Sequence, residues 1–229
     1  PIHQRDRLLG EFSDFLKETE KIYRVQPEFK IVVADMQTML ADMKRWMEQV
    51  ELGGRSLPTR DRLEAEREIL HKLEDPVLPA LMPLVMRIEA AAAEIPLDVQ
   101  PVHRSYIKKQ LHPIIMCSPF IYRTYQKPLG YAGDYEMVSM MLRDPYEGSS
   151  IFAKMLNRLC LEIPPVIAHR NRIDYLCESL ARETARTVAA GRSCRIYNLG
   201  CGPAQEVQRF LSKNPISDQA DFLLLDFND

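Results

Sequence analysis

Asn198, Gly200, Cys201, Gly202 and Ala204 fall within one short stretch, RIYNLGCGPAQEV (Arg195 to Val207), and Asp226 closes a second apolar run in LLLDFND. An apolar strand that enters a Gly-x-Gly turn and continues into a helix lets a ligand lie against bare backbone, because glycine bends tightly and adds no side chain. An acid about 20 residues on, at the end of the next strand, accepts hydrogen bonds from vicinal ribose hydroxyls. Asp226 follows Gly202 by 24 residues. Strand, turn, helix, strand and acid therefore read as the first βαβ unit of a nucleotide-binding α/β fold, with an ordinary βα turn as the plainer alternative. A dinucleotide fingerprint needs glycine at the first, third and sixth places, and the sixth here is Gln205. Small residues at positions 200, 202 and 204 suit a compact ligand without phosphates, and Pro203 suits the first helical position, where its missing N–H costs nothing.

A second group of polar side chains gathers in HPIIMCSPFIYRTYQKPLGYAGDYEMVSMM (His112 to Met141), around Gly130 and Gly133. Arg123, Tyr131, Asp134 and Glu136 are its candidates for substrate or lid contacts. Asp134 is also placed to cap a helix whose apolar face is Met137, Val138, Met140 and Met141, and a simple loop with a capped helix explains the spacing equally well. IAHRNRIDYL (Ile167 to Leu176) adds Arg170 and Arg172, for which a solvated helix face is the plain alternative. His112, at an expected helix start before Pro113, and His169 are candidate general bases, but neither has a partner carboxylate at a defined spacing. His3, His71 and His103 read as surface residues.

Helices must position these groups. Leu8, Leu9, Phe12, Phe15, Leu16, Ile22 and Tyr23 recur at three-to-four spacing, as do Phe29, Val32, Val33, Met36, Met39, Leu40, Met43, Trp46, Met47 and Val50. The second stripe starts at Pro27 and stops at Gly53-Gly54, the usual order for a helix. A third helix is expected after Thr59, and a fourth from Pro76 to the alanines before Pro96. Four such helices suggest an antiparallel bundle over residues 1–96, with the Met-rich stripe serving as core, homodimer seam or partner groove. Residues 97–229 then hold further helices, at about 149–161 and 166–190, before the strand–turn–strand unit.

The chain has 229 residues, 46% of them hydrophobic, and 30 Lys and Arg against 32 Asp and Glu. That balance provides no basic field for nucleic acid or anionic lipid. Five cysteines without CxxC spacing argue against disulfides and a zinc site, and for a cytoplasmic setting. The apolar runs fall short of the ~18 residues of an integral membrane segment. The chain starts at Pro1 and stops just after the second apolar run, so both ends are expected to be cuts in a longer protein.

RIYNLGCGPAQEV and LLLDFND resemble motifs I and II of class I S-adenosylmethionine-dependent methyltransferases, in which an acid precedes Gly-x-Gly-x-Gly. Asn198 stands here in place of that acid and Ala204 in place of the third glycine. PLGYAGDYEMV and IAHRNRIDYL further resemble a bacterial subgroup that makes the methyl ester of 3-hydroxypalmitic acid. The resemblance implies a helical bundle followed by the start of a Rossmann-like methyltransferase domain, truncated after its second strand and inactive as a fragment. It implies S-adenosyl-L-methionine as cofactor, with its amino-acid end near Asn198, its body on Gly200, Cys201, Gly202 and Ala204, and its ribose on Asp226. A small or fatty-acid-derived carboxylate would be the methyl acceptor, oriented by Arg123, Tyr131, Arg170 or Arg172. Tyr131, Asp134 and Glu136 would alternatively reach the cofactor from a helical lid. Two other classes stay open: a helical interaction or regulatory module attached to a catalytic domain, and a nicotinamide-dependent oxidoreductase.

Overall fold

A computed structural model describes residues 10–14, 16–17, 24–131 and 133–226. Among these the chain is mostly helical, with a two-stranded parallel sheet near its C-terminal end. It divides into two compact units, one holding the residues up to Cys117 together with Ser149–Met155, the other Ser118–Gly148 and the residues from Leu156 onward. The division falls at Cys117 rather than at Pro96 because the helix that follows Pro96 packs back on the first unit.

In the first unit, α1 (Pro27–Gly54) packs against α2 (Thr59–Ala93) and α3 (Gln100–Ile115). Pro27 presets the backbone of the first turn of α1, and Phe29, Val32, Val33, Met36, Leu40, Met43 and Met47 form its buried stripe. Met36, Met43 and Met47 are thus enclosed by the chain itself, whereas Trp46, from the same sequence stripe, is 50% exposed. Asp35 near the start of α1 pairs with Arg87 near the end of α2 at 2.9 Å, as antiparallel neighbours should. Of the first expected stripe, Phe12 and Leu16 are exposed; Leu8, Leu9, Phe15, Ile22 and Tyr23 lie outside the described residues.

Two helices expected between Thr59 and Pro96 are one. Pro76, Pro79 and Pro83 sit inside α2, where each removes a hydrogen bond to the carbonyl four residues back. All three lie on the exposed face, as do Lys72 and Asp75, so water can take up the freed carbonyls and the helix continues. By length and composition alone, α2 could also cross a membrane, and only 6% of its most apolar window is buried. Arg87, paired with Asp35, lies in this apolar end of the helix.

His103 is a correction to the sequence expectation. It is 1% exposed, with its ring edge-on to Phe29 at 5.1 Å. Its Nδ1–H donates to the Val99 carbonyl at 2.9 Å, and Nε2 accepts the Gln26 amide at 3.0 Å. Those two partners define the neutral tautomer. His112, expected at a helix start, instead lies near the C-terminal end of α3.

The second unit contains α4 (Pro119–Gln126), α5 (Tyr135–Leu142), the latter part of α6 (Ile151–Cys160), α7 (Pro164–Ala189), β1 (Cys194–Leu199), α8 (Gln205–Lys213) and β2 (Ala220–Leu225). Phe120, Met140, Met141, Leu161 and Val166 make a core between α4, α5 and the start of α7. Buried Asn157 ties this core together: its Oδ1 accepts from Ser118 Oγ and the Phe120 amide, and its Nδ2 donates to the Pro145 carbonyl, each at 2.9 Å. The strands pair from Cys194↔Ala220 to Leu199↔Leu225. Phe210 of α8 meets Phe222 ring to ring at 5.8 Å and covers one face of the sheet. Tyr197, Leu199, Leu223 and Leu225 on the other face are exposed, although parallel sheets are ordinarily covered on both sides.

Replacing His103 by Leu should lower stability by about 1–3 kcal/mol, because the Gln26 amide loses its acceptor in a buried site. His71→Leu, at a side chain 69% exposed, should change it by no more than about 0.5 kcal/mol. Urea unfolding of the two variants measures both, and equal losses would contradict a structural role for His103.

Candidate functional site

The turn after β1 is built from backbone that only a few residue types tolerate. Gly200 has φ +67, Gly202 φ +51 and Ala204 φ +46. Ala204, buried at the N-cap of α8, occupies a left-handed conformation that costs a residue with a Cβ about 1–2 kcal/mol. It is the position at which the resembling motif has its third glycine.

The end of β2 holds this turn in place. The Leu225 carbonyl accepts from the Gly200 amide at 2.7 Å and the Cys201 amide at 3.2 Å, and the Ala204 amide donates to the Cys201 carbonyl at 2.9 Å. Asp226 Oδ2 accepts from the Gly202 amide at 2.6 Å. Pro203 has no N–H, so every amide from 200 to 204 is already engaged within the protein.

A cleft of about 530 Å³ opens beside the turn, within the second unit, a size that suits a small cofactor. All six residues expected to hold a cofactor line it: Asn198, Gly200, Cys201, Gly202, Ala204 and Asp226. Tyr131 and Arg172, from the substrate or lid group, line it too. The remaining four do not, and each has a structural task. Asp134, 2% exposed, accepts from the Met137 amide at 2.8 Å as the N-cap of α5 and from Arg123 Nε at 2.9 Å. Burial pushes the Asp134 carboxyl up, but the Arg123 guanidinium and the Met137 amide outweigh it and leave its pKa below the ordinary value. Arg170 Nε donates to the Met141 carbonyl at 3.0 Å, near the other end of α5, and Nη1 reaches Glu162 at 3.2 Å. Glu136 pairs with Arg143 at 2.6 Å. Arg123, Asp134 and Arg170 thus anchor α5 rather than line the cleft.

Sequence reasoning missed the wall that α5 provides. Tyr135, Met137, Val138 and Met141 line the cleft, and a Cβ at Gly202 would lie 3.8 Å from that of Tyr135. The alternation of apolar residues in α5 was legible, but not its approach to a turn more than 60 residues away. Glu206, in the first turn of α8, is a second missed residue. Its Oε1 accepts from Asn198 Nδ2 at 2.7 Å, and it lines the cleft. His169 also faces the cleft, with Nε2 3.5 Å from Arg172 Nη2. Burial and then the Arg172 charge lower its pKa below the ordinary 6.5, while Glu206 opposes them. His112 is not among the residues lining this cleft.

Comparison of the chain with family models, with curated proteins and with solved structures finds no match in any of the three.

Because Arg172 depresses the His169 pKa and Glu206 raises it, Arg172→Gln should move the imidazole titration to higher pH and Glu206→Gln to lower pH. NMR titration of the ring protons measures both shifts. Identical midpoints in the wild type and both variants would contradict the electrostatic coupling.

Proposed function

We propose that the second unit carries the cofactor site of an S-adenosylmethionine-dependent methyltransferase acting on an oxygen of a small or fatty-acid-derived carboxylate, in a Rossmann-like domain that opens with β1, α8 and β2. The observation that supports this most is the engagement of every turn amide with β2 or the turn itself. A dinucleotide site needs such amides turned toward a pyrophosphate at a helix N-terminus. The amides from Gly200 to Ala204 are committed, Gln205 stands where the dinucleotide fingerprint has its last glycine, and Asp226 and Glu206 both line the cleft, so the site suits a ligand that carries positive charge better than a pyrophosphate. This favours an adenosyl sulfonium over a nicotinamide dinucleotide.

The residues fit the parts of that ligand. The small turn residues leave room for its body, and Asn198 lies where its amino-acid end would approach. Asp226 joins two roles: one carboxylate oxygen holds the Gly202 amide, and the group faces the cleft, where ribose hydroxyls would meet it. Bound cofactor would supply an activated methyl group. In the transfer, an acceptor oxygen gains the methyl as the sulfur–methyl bond breaks, and an ionised carboxylate has no proton to lose. The protein's share is therefore alignment and exclusion of water, tasks suited to the apolar wall of Met137, Val138 and Met141. Of the arginines considered for orienting a carboxylate, Arg172 lines the cleft, with Tyr131 beside it. A cytoplasmic setting accords with this cofactor and with five free cysteines.

A regulatory module that dimerises through Met36, Met43 and Met47 is less favoured, because those side chains are 6%, 8% and 1% exposed.

Calorimetry should detect binding of S-adenosylmethionine and no binding of NAD. Asp226→Ala should weaken the former by about 1–3 kcal/mol, the scale for a polar group losing its partner. Binding of NAD alone, or an unchanged affinity in the variant, would contradict the assignment.

A further inference from the structure

Asn198 donates through Nδ2 to Glu206 Oε1 at 2.7 Å, so the two side chains form one unit within the cleft. The amide is oriented by that bond: with its NH2 turned to Glu206, its carbonyl oxygen is directed elsewhere as an acceptor. Glu206 is only half-buried and its carboxylate is not matched by a cation in the hydrogen bond it makes. Among the described residues, Arg172, Glu206 and Asp226 are the charged side chains that line the cleft, which with a neutral His169 gives these groups one net negative charge. S-adenosylmethionine carries a sulfonium, an ammonium and a carboxylate, one net positive charge.

We infer that Glu206 supplies the anionic partner for the α-ammonium group of the cofactor, replacing the charge that Asn198, at the end of β1, does not carry. This rests on the methyltransferase reading and deepens it, by assigning recognition of the amino-acid end to the first turn of α8. Asn198 acts as the spacer: its Nδ2 holds Glu206 in place, and its carbonyl oxygen offers the ammonium a second acceptor. A charge-assisted hydrogen bond is roughly twice as strong as a neutral one, so discrimination for the amino-acid end should depend mainly on the carboxylate.

S-adenosylhomocysteine and 5′-methylthioadenosine share a nucleoside and a thioether, and only the former has the amino-acid end. Calorimetry with both tests the inference. Glu206→Gln, which keeps the side-chain shape and the acceptor for Asn198, should weaken S-adenosylhomocysteine about 10- to 100-fold and leave methylthioadenosine within about two-fold. Adding Asn198→Asp to Glu206→Gln should recover most of the loss, since it returns a carboxylate to the same place. Wild-type protein alone provides a check independent of any variant's folding: the desamino analogue of S-adenosylhomocysteine should bind about as weakly as methylthioadenosine. Equal weakening of both ligands by Glu206→Gln, no weakening of either, or full affinity for the desamino analogue would overturn the role of Glu206 while leaving the methyltransferase reading intact. Failure of the wild type to bind any of these adenosyl ligands or S-adenosylmethionine would overturn both.

Discussion

Leu225 and Asp226 at the end of β2 take the amides of Gly200, Cys201 and Gly202, and the candidate site depends on this attachment. A turn with three positive φ values in five residues is a poor structure by itself, since Ala204 carries a Cβ into a region that glycine prefers. Two adjacent residues of the neighbouring strand compensate by accepting its amides, and one of them brings a carboxylate. Parallel register fixes where they fall: Leu199 pairs with Leu225, so Asp226 comes level with the start of the turn. The hydrogen bonds that shape the turn occupy its own amides from Gly200 to Ala204, while the helix that follows starts without a side-chain cap.

The opposite wall depends on side-chain hydrogen bonds and one ion pair rather than on strand pairing. Asp134 caps α5 and binds Arg123 of α4, and Arg170 of α7 grips the Met141 carbonyl. The short helix is thus tied near both ends to helices on either side of it in sequence, with Asn157 holding the surrounding loop and helix starts. The apolar face of a helix only eight residues long would have little reason to hold one position against the turn without these ties. Side chains that chemistry alone would nominate as ligands are here the means by which the cleft keeps its shape.

Local signals in the sequence were faithful where one short stretch decides the structure. Pro27 and Gly53-Gly54 mark α1, Asp134 caps α5, and the six turn and strand residues line one cleft. What stayed illegible depends on which face of a helix meets water or on partners distant in sequence. Pro76, Pro79 and Pro83 look like breaks until their shared exposed face is seen. His103 looks like a surface residue until Gln26, 77 residues away, is found donating to it. Glu206 is not marked by the strand–turn pattern, because its contact with Asn198 depends on how the first turn of α8 folds back toward the end of β1. Among the described residues the two strands alone make up the sheet, and one apolar face of β1 and β2 stays exposed.

The most direct measurement is amide NMR of the second unit's turn during titration with S-adenosylmethionine. The expected result is saturable shifts at Gly200, Cys201 and Gly202, together with Tyr135 on the facing helix, and none at the same amides with NAD. Unperturbed turn amides, or shifts confined to residues outside the cleft, would contradict the claim that this turn is the cofactor's seat.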